Sequence, residues 1–397
     1  MKCDRKPLAE VADFCLGKML DQKKNKGEEM PYLANINVRW GELDFENLRQ
    51  MRFEAGELER YGLQYGDILM CEGGEPGRCA IWQDQVPGMM IQKALHRIRP
   101  HACIDSRFLF YSFLKKRKND ELSGLFTGST IKHLPREKLA KVQVELPPLS
   151  TQKRIADVLS AYDDLIENNR RRIGLLEEAA RMLYREWFIH FRFPGHEHVK
   201  IVDGLPEGWG RRILGDVAET NVESYRAKEV PDELNYIDIS SVAHGRIESK
   251  TLMLASDAPG RARRKAQDGD VIWSNVRPNL RAYALVLDPQ ETDVFSTGFT
   301  VLSARSVPFT WLYQFVTTDG FVGHLVNHAT GSSYPAVRPD DFENAAVTLP
   351  TKLLLGLFHE ATEPSFRMIS KLAAQNQKLA QARDLLLPRL MNGEIAV

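Results

Sequence analysis

The sequence predicts an α+β protein: two similar globular α/β domains separated by two long helices that pair as an antiparallel coiled coil, all related by an internal pseudo-two-fold repeat. Three observations predict it. The chain repeats itself at an offset of 203: Gly66-Asp67-Ile68 matches Gly269-Asp270-Val271, Thr127-Gly128-Ser129 matches Thr330-Gly331-Ser332, and Val144, Leu146 and Pro147 match Val347, Leu349 and Pro350. Each copy passes from short strand and turn patterns into one long apolar heptad. Each heptad opens behind a proline-bearing boundary, Leu146-Pro147-Pro148 in the first copy and Leu349-Pro350-Thr351 in the second.

Taken in order, residues 1–150 form the first head. The first helix lies within 151–192 and is read from Ile155 to Phe188. It carries Ile155, Leu159, Tyr162, Ile166, Asn169, Ile173, Leu176, Ala180, Leu183 and Trp187 at alternating spacings of four and three, which is a pairing seam. Such a helix is about 50 Å long, more than one small core needs. A connector rich in Pro, Gly and His follows at 193–213, and the second head occupies 214–350. There Leu8-Ala9-Glu10-Val11-Ala12 faces Leu214-Gly215-Asp216-Val217-Ala218 and Tyr32-Leu33 faces Tyr236-Ile237, so the offset drifts through small loop insertions. The second helix lies within 351–397. Its seam is weaker: Phe358, Thr362, Ser365, Ile369, Leu372, Asn376, Leu379, Arg383, Leu386 and Leu390, most apolar in the second half. Asn169 and Asn376 inside the seam either fix its register by demanding partners or sit tolerated near solvent. Two equivalent helices joined through a globular domain pack antiparallel, which predicts two heads held at a fixed distance by a rod.

Composition narrows the function. The chain has 397 residues, 43% hydrophobic and 27% charged, enough for two or three ordinary domains. Lys+Arg and Asp+Glu are both 53, so no global field attracts a polyanion and any such partner must be held by local patches. Residues 1–203 hold 33 basic against 30 acidic side chains and 204–397 hold 20 against 23, so neither head is basic enough to bind DNA tightly alone. The cysteines, Cys3, Cys15, Cys71, Cys79 and Cys103, are odd in number and never in C-x-x-C spacing, which points to reduced thiols. Charges occupy the place of a signal peptide's apolar core, and no run reaches the roughly 18 apolar residues of a membrane span; a cytoplasmic location is expected.

Catalytic signatures are absent from the sequence: no G-x-x-x-x-G-K-[ST], no G-x-G-x-x-G after a strand, no H-E-x-x-H, no G-x-S-x-G. The glycine-rich Glu72–Arg78 segment reads as a hairpin turn, since its acids oppose phosphate. His196 and His198 lack third and fourth metal ligands and read as surface connector. Basic and amide side chains are more informative, because Arg, Lys, Asn and Gln make bidentate contacts to purine edges and the cations also neutralise phosphates. In the first head these are Lys23, Lys24, Lys26, Arg78, Gln92 and Lys93, with Thr130 and Lys132 beside the repeated Thr-Gly-Ser. In the second they are Arg261, Arg263, Arg264, Arg277, Asn279 and Arg281, with Ser333 and Tyr334. For any single one, a solvated face is the competing reading. Lys115-Lys116-Arg117-Lys118 and Arg170-Arg171-Arg172 are expected to be such faces.

LPPLSTQKRIADVLSAYDDLIENNRRRIGLLEEAARMLYREWFIHFRFPGHEHVKIVDGLPEGW, from Leu146 to Trp209, closely resembles the central conserved region of type I restriction–modification specificity subunits. GDVIWSNVRPNLRAYALV from Gly269, FSTGFTVLSA from Phe295 and TGSSYPAV from Thr330 resemble the recurring core of that family's target-recognition domains. The first head matches more loosely, with CEGGEPGRCAI where the second has SNVRPNLRAYAL. The resemblance implies a subunit without catalysis or bound cofactor of its own. It implies two target-recognition domains that each read half of a bipartite double-stranded DNA site. It also implies helices that set the spacing and dock two modification subunits, adenine methyltransferases using S-adenosylmethionine, and through them restriction subunits driven by ATP and Mg2+. Two other classes compete. A self-contained DNA-modifying enzyme requires an Asn-Pro-Pro-Tyr or Asp-Pro-Pro-Tyr tetrapeptide, and neither occurs. A coiled-coil scaffold with protein-binding heads requires no DNA.

Overall fold

The computed structural model describes residues 4–21, 25–46, 48–226 and 229–397. They form two compact units, 1–168 with 376–397 and 169–375. The division falls inside both long helices, so each unit contains one head and a stretch of each helix.

In the first unit the strands are β1 (Asp4–Pro7), β2 (Ala12–Leu16), β3 (Glu28–Leu33), β4 (Arg49–Phe53), β5 (Ile68–Cys71), β6 (Cys79–Ile81), β7 (Met90–Ile91), β8 (Leu95–Pro100) and β9 (Gln143–Leu146). They make an antiparallel sheet β2-β8-β5-β6, a three-stranded sheet β4-β3-β7 in which β3 and β7 run parallel, and the pair β1-β9. β5 is buried at every position, as its unbroken apolar run requires.

The second unit holds the connector hairpin β10 (Ile201–Val202) and β11 (Leu205–Pro206), then β12 (Gly210–Ile213), β13 (Ala218–Thr220), β14 (Glu233–Ile237), β15 (Val242–Ala243), β16 (Arg246–Ile247), β17 (Thr251–Leu254), β18 (Ala262–Arg264), β19 (Val271–Ser274), β20 (Tyr283–Leu285), β21 (Asp293–Ser296), β22 (Phe299–Ala304) and β23 (Ala346–Leu349). Its sheets are β13-β22-β19-β20, β17-β14-β21-β18 with β14 and β21 parallel, and β12-β23. Strand for strand this is the first head again, with β18 and the β15-β16 hairpin added among the described residues.

The repeat anchors do equivalent work. Gly66 and Gly269 turn the chain into β5 and β19 at φ +87° and +90°. A Cβ at Gly269 would also meet the Phe309 ring at 3.1 Å. In the same turns the carboxylates of Asp67 and Asp270 accept the backbone N–H of Gln64 and Gln267 at 2.8 and 2.7 Å.

The first long helix spans Leu149–Tyr184, 36 residues, and passes into a π-helical turn at Arg185–Ile189. It therefore opens six residues before Ile155, directly behind the prolines, and its α-helical part ends before Trp187 and Phe188. The seam starts late because the first turn buries a polar residue: Gln152 donates to the carbonyls of Pro147 and Cys103 and accepts from the Asp105 N–H. The last helix spans Lys352–Met391, 40 residues. Every residue of both seams, Ile155 to Trp187 and Phe358 to Leu390, is buried or half-buried.

Within each unit the two helices run antiparallel. In the first, Asn376 Nδ2 donates to the Ile166 carbonyl at 3.4 Å and Arg383 pairs with Asp163 at 2.5 Å. In the second, Asn169 Nδ2 donates to Gln375 at 3.4 Å, and Tyr184 and Phe188 pack on Phe358 with ring centroids 6.1 and 5.1 Å apart. Both seam asparagines thus bond across to the opposite helix, which favours the register reading. Each head's core extends onto the helices: Ile155, Leu159, Leu387 and Leu390 complete the first, and Tyr184, Phe188, Leu354 and Phe358 the second.

One expected solvated face is corrected. Lys115 and Lys116 keep only 13% and 16% of their side chains exposed and pair with Glu145 and Glu121, while Lys118 meets Asp384 at 2.6 Å. They lie in the last turn of the Ser106–Lys118 helix, where unsatisfied carbonyls favour cations and acids have gathered around them. Arg170, Arg171 and Arg172 are exposed, as expected. Among the described residues, no helix is long and apolar enough to cross a membrane.

Candidate nucleic-acid interface

In each head three loops converge at one end of the four-stranded sheet. The first head contributes Glu72–Arg78, which joins β5 to β6, the turn Gln92–Ala94 before β8, and Thr127–His133. Backbone bonds tie them: Glu72 N–H to Ala94 C=O at 2.8 Å, Leu134 N–H to Glu72 C=O at 2.7 Å, and a reciprocal Thr127–His133 pair at 2.8 Å each way. The second head contributes 275–282, the turn at 297–298, and Thr330–Ala336. The ties are equivalent: Asn275 N–H to Gly298 C=O at 2.9 Å, Val337 N–H to Asn275 C=O at 2.9 Å, and a reciprocal Thr330–Ala336 pair at 2.9 Å. With their backbone groups committed to each other, the loops present their side chains from fixed positions.

Those side chains differ between heads. In the first, Lys93, Thr130 and Lys132 are exposed on the cluster and Gln92 is half-buried. Arg78 faces inward, donating to the Asn35 carbonyl at 2.9 Å and to Glu75 at 3.2 Å, and so braces its own hairpin. Lys26 is exposed ahead of β3; Lys23 and Lys24 lie outside the described residues. In the second head Arg277 and Tyr334 form a stacked pair, the guanidinium carbon 4.7 Å from the ring centroid, and Arg277 also donates to the Ser333 carbonyl at 3.2 Å. Asn279, Ser333 and Tyr334 are exposed beside it.

Arg277 and Arg281 both adopt left-handed backbone, φ +51° and +54°, at a cost on the order of 1 kcal/mol each. The matching turn of the first head uses Gly74 and Gly77 at φ +81° and +88°. Arg281 has a packing role, closing on Asp319 at the rim of a cavity of about 560 Å³ that Arg181, Arg185, Tyr283 and Tyr313 also line. That guanidinium holds the Asp319 carboxyl below the usual carboxylate range.

The β18 cluster divides. Arg261 is exposed, and its carbonyl accepts the Thr297 N–H at 2.8 Å, which places it next to the 297–298 turn. Arg263 folds back onto the Ala262 carbonyl at 2.7 Å. Arg264 donates to Ser224 at 2.9 Å, and burial lowers its pKa. The structure therefore brings Arg261, Arg277, Asn279, Ser333 and Tyr334 to one surface and turns Arg263, Arg264 and Arg281 toward the fold.

Sequence reasoning missed a second arginine–aromatic pair. Arg117 lies 4.5 Å from the Trp40 ring centroid, and Trp40 Nε1 donates to Glu75 of the first head's hairpin loop at 2.9 Å. The signal was a tryptophan among loop residues, obscured by reading Arg117 only as part of a basic run. Among the described residues, no group of three or more His, Cys, Asp or Glu side chains is placed to hold a metal.

Comparison with known proteins bears on this geometry. Residues 3–178 match the family model described as the type I restriction modification DNA specificity domain. The chain is 25% identical over 345 residues to the type I restriction enzyme MjaIX specificity subunit of Methanocaldococcus jannaschii, covering 84% of this chain and 78% of that one. It is 20% identical to the HindI specificity subunit of Haemophilus influenzae, covering 91% and 92%. Its fold is similar to the crystal structure of the S subunit from M. genitalium, with TM-score 0.57, 15% identity, and coverage of 98% and 96%. A duplicated head, two long helices and these matches lead to one conclusion: the chain is similar over most of its length to type I restriction–modification specificity subunits.

Proposed function

We propose that each head reads one half of a bipartite DNA site through its three-loop cluster. One observation carries the reading: both clusters are tied together by the same backbone bonds at the same place in the same fold, yet they present different side chains. Equivalent frames with different polar faces suit two different base sequences. The long helices set the spacing between half-sites and dock two modification subunits, adenine methyltransferases, and through them restriction subunits. The chain itself is non-catalytic and binds no cofactor; S-adenosylmethionine, ATP and Mg2+ act in the partners. Weak charge in either copy, +3 for residues 1–203 and −3 for residues 204–397, fits a reader whose partners supply much of the phosphate neutralisation.

The test is an exchange of residues 214–350 for the corresponding head of another family member, in a cell that also makes the modification subunits. Sequencing of methylated positions should show one half of the motif replaced and the other unchanged. Replacement of both halves would show that the heads do not read independently. Titration calorimetry of the isolated chain should show no S-adenosylmethionine binding, and stoichiometric binding would overturn the non-catalytic assignment.

A further inference from the structure

We propose that Arg277 determines specificity in the second head by reading a guanine, its guanidinium held in plane by Tyr334. The proposal rests on the reading of the heads as DNA readers. Three observations lead to it. First, the backbone at Arg277 is left-handed, φ +51°, where the first head has Gly74 at φ +81°. A glycine takes that conformation freely and an arginine does not, so an arginine kept there points to a use for the side chain. Second, the other left-handed arginine of this turn, Arg281, is accounted for by Asp319, whereas among the described residues no carboxylate pairs with Arg277. Third, Tyr334 is 69% exposed, and its ring lies under the Arg277 guanidinium.

The chemistry of the pair selects the base. Tyr334 stacking and the bond from Arg277 Nη2 to the Ser333 carbonyl fix the guanidinium plane before DNA arrives. That bond takes one of five N–H groups, and the fork keeps a complete two-donor edge. In the major groove a guanine offers O6 and N7, two acceptors at the matching spacing. Adenine places an N6 donor where guanine has O6 and opposes one of the two. The Arg277 N–H bonded to the Pro335 carbonyl at 2.7 Å holds the base of the side chain on the Thr330–Ala336 loop. In the first head Gly74 has no side chain to do this, so the contact belongs to one half-site.

The experiment uses the full chain with its modification subunits, methylating a plasmid library randomised over the recognition motif, with methylated positions read by sequencing. Arg277→Gly takes the left-handed turn without strain and so separates reading from folding. It should relax one guanine position in the half-site that the 214–350 exchange assigns to the second head. Discrimination there should fall about tenfold or more, with the other half-site unchanged. Arg277→Lys should do the same, because an ammonium is a point charge without the planar fork that Tyr334 and Ser333 hold in place. Tyr334→Ala should weaken the same discrimination, and Tyr334→Phe should retain it. Unchanged discrimination in Arg277→Gly, equal weakening on all sequences as for a phosphate contact, or a second-head half-site without a G·C pair would each overturn the proposal. A wild-type complex that yields no two-part motif would instead overturn the head reading and this inference with it.

Discussion

Asp67 and Asp270 occupy equivalent turns and meet the same problem, a carboxylate under a sheet, with different neighbours. Asp67, its side chain 1% exposed, receives the Arg99 guanidinium on both oxygens at 2.8 and 2.7 Å. Arg99→Ala leaves that carboxylate buried and unpaired. It should destabilise the first unit by about 3 kcal/mol, the low end for a buried pair because Arg99 remains partly exposed. Urea denaturation measures it, and a loss within a few tenths of a kcal/mol would show that solvent reaches Asp67. Asp270 has Ser303 at the matching position, and burial raises its pKa, with the Gln267 N–H opposing. The sign is that of a raised acid: between the unfolded value and the higher folded value the native state holds the extra proton, so this group's contribution improves as pH falls through the folded pKa. Neither role was legible beforehand. The Gly-Asp anchors were visible as repeated letters, but pairing with residue 99 or 303 is a cross-strand neighbourhood that linear spacing does not reveal.

At the scale of elements, the last helix is fastened to the second head by Arg367, which grips Asp268 with two bonds of 2.7 Å. Those bonds are the main reason the Asp268 carboxyl titrates below its usual value. A depressed acid contributes stability that is present above the unfolded pKa, near 3.9, and is lost as pH falls through the folded value. Both side chains are partly exposed, so screening limits the effect. Arg367→Ala should cost roughly 1 kcal/mol at neutral pH, and the gap between variant and wild type should close only below about pH 4. Thermal melts at a series of pH values would decide it, and a gap that persists in strong acid would assign the effect to lost packing on Phe309. The heptads located both helices from sequence, but their ends moved. Gln152 is buried because the fold supplies three polar partners, and Trp187 and Phe188 leave the α-helical period in a π turn that packs them on Phe358. Arg383 sits in a seam without penalty because Asp163 from the opposite helix meets it there. Periodicity records which residues face inward; it does not record what awaits them.

For the whole molecule, the proposal that the helices set the half-site spacing has a direct test. One heptad inserted near Asn169 and another near Asn376 preserve the seam and add about 10 Å of helix, or about three base pairs of B-DNA. The bases read in each half should stay the same, and the unread spacer should lengthen by up to about that amount, less if DNA twist resists. Methylome mapping that finds an unchanged spacer with full activity would transfer control of the distance to the modification subunits.

The sequence by itself determined the duplication, both helices and their seams, the class of heads, and the family that the chain resembles. All of these rest on patterns local in the chain or repeated at one offset, where glycines, prolines and apolar periods carry their physical meaning in their own letters. Tertiary structure alone decided which polar residues stay at the surface of the loop clusters. Arg78, Arg264 and Arg281 are turned to carbonyls, a hydroxyl and a carboxylate within the fold, whereas Arg277, Asn279 and Tyr334 stay at the surface. An arginine's role depends on the acceptor that reaches it first, and that acceptor comes from loops dozens of residues away.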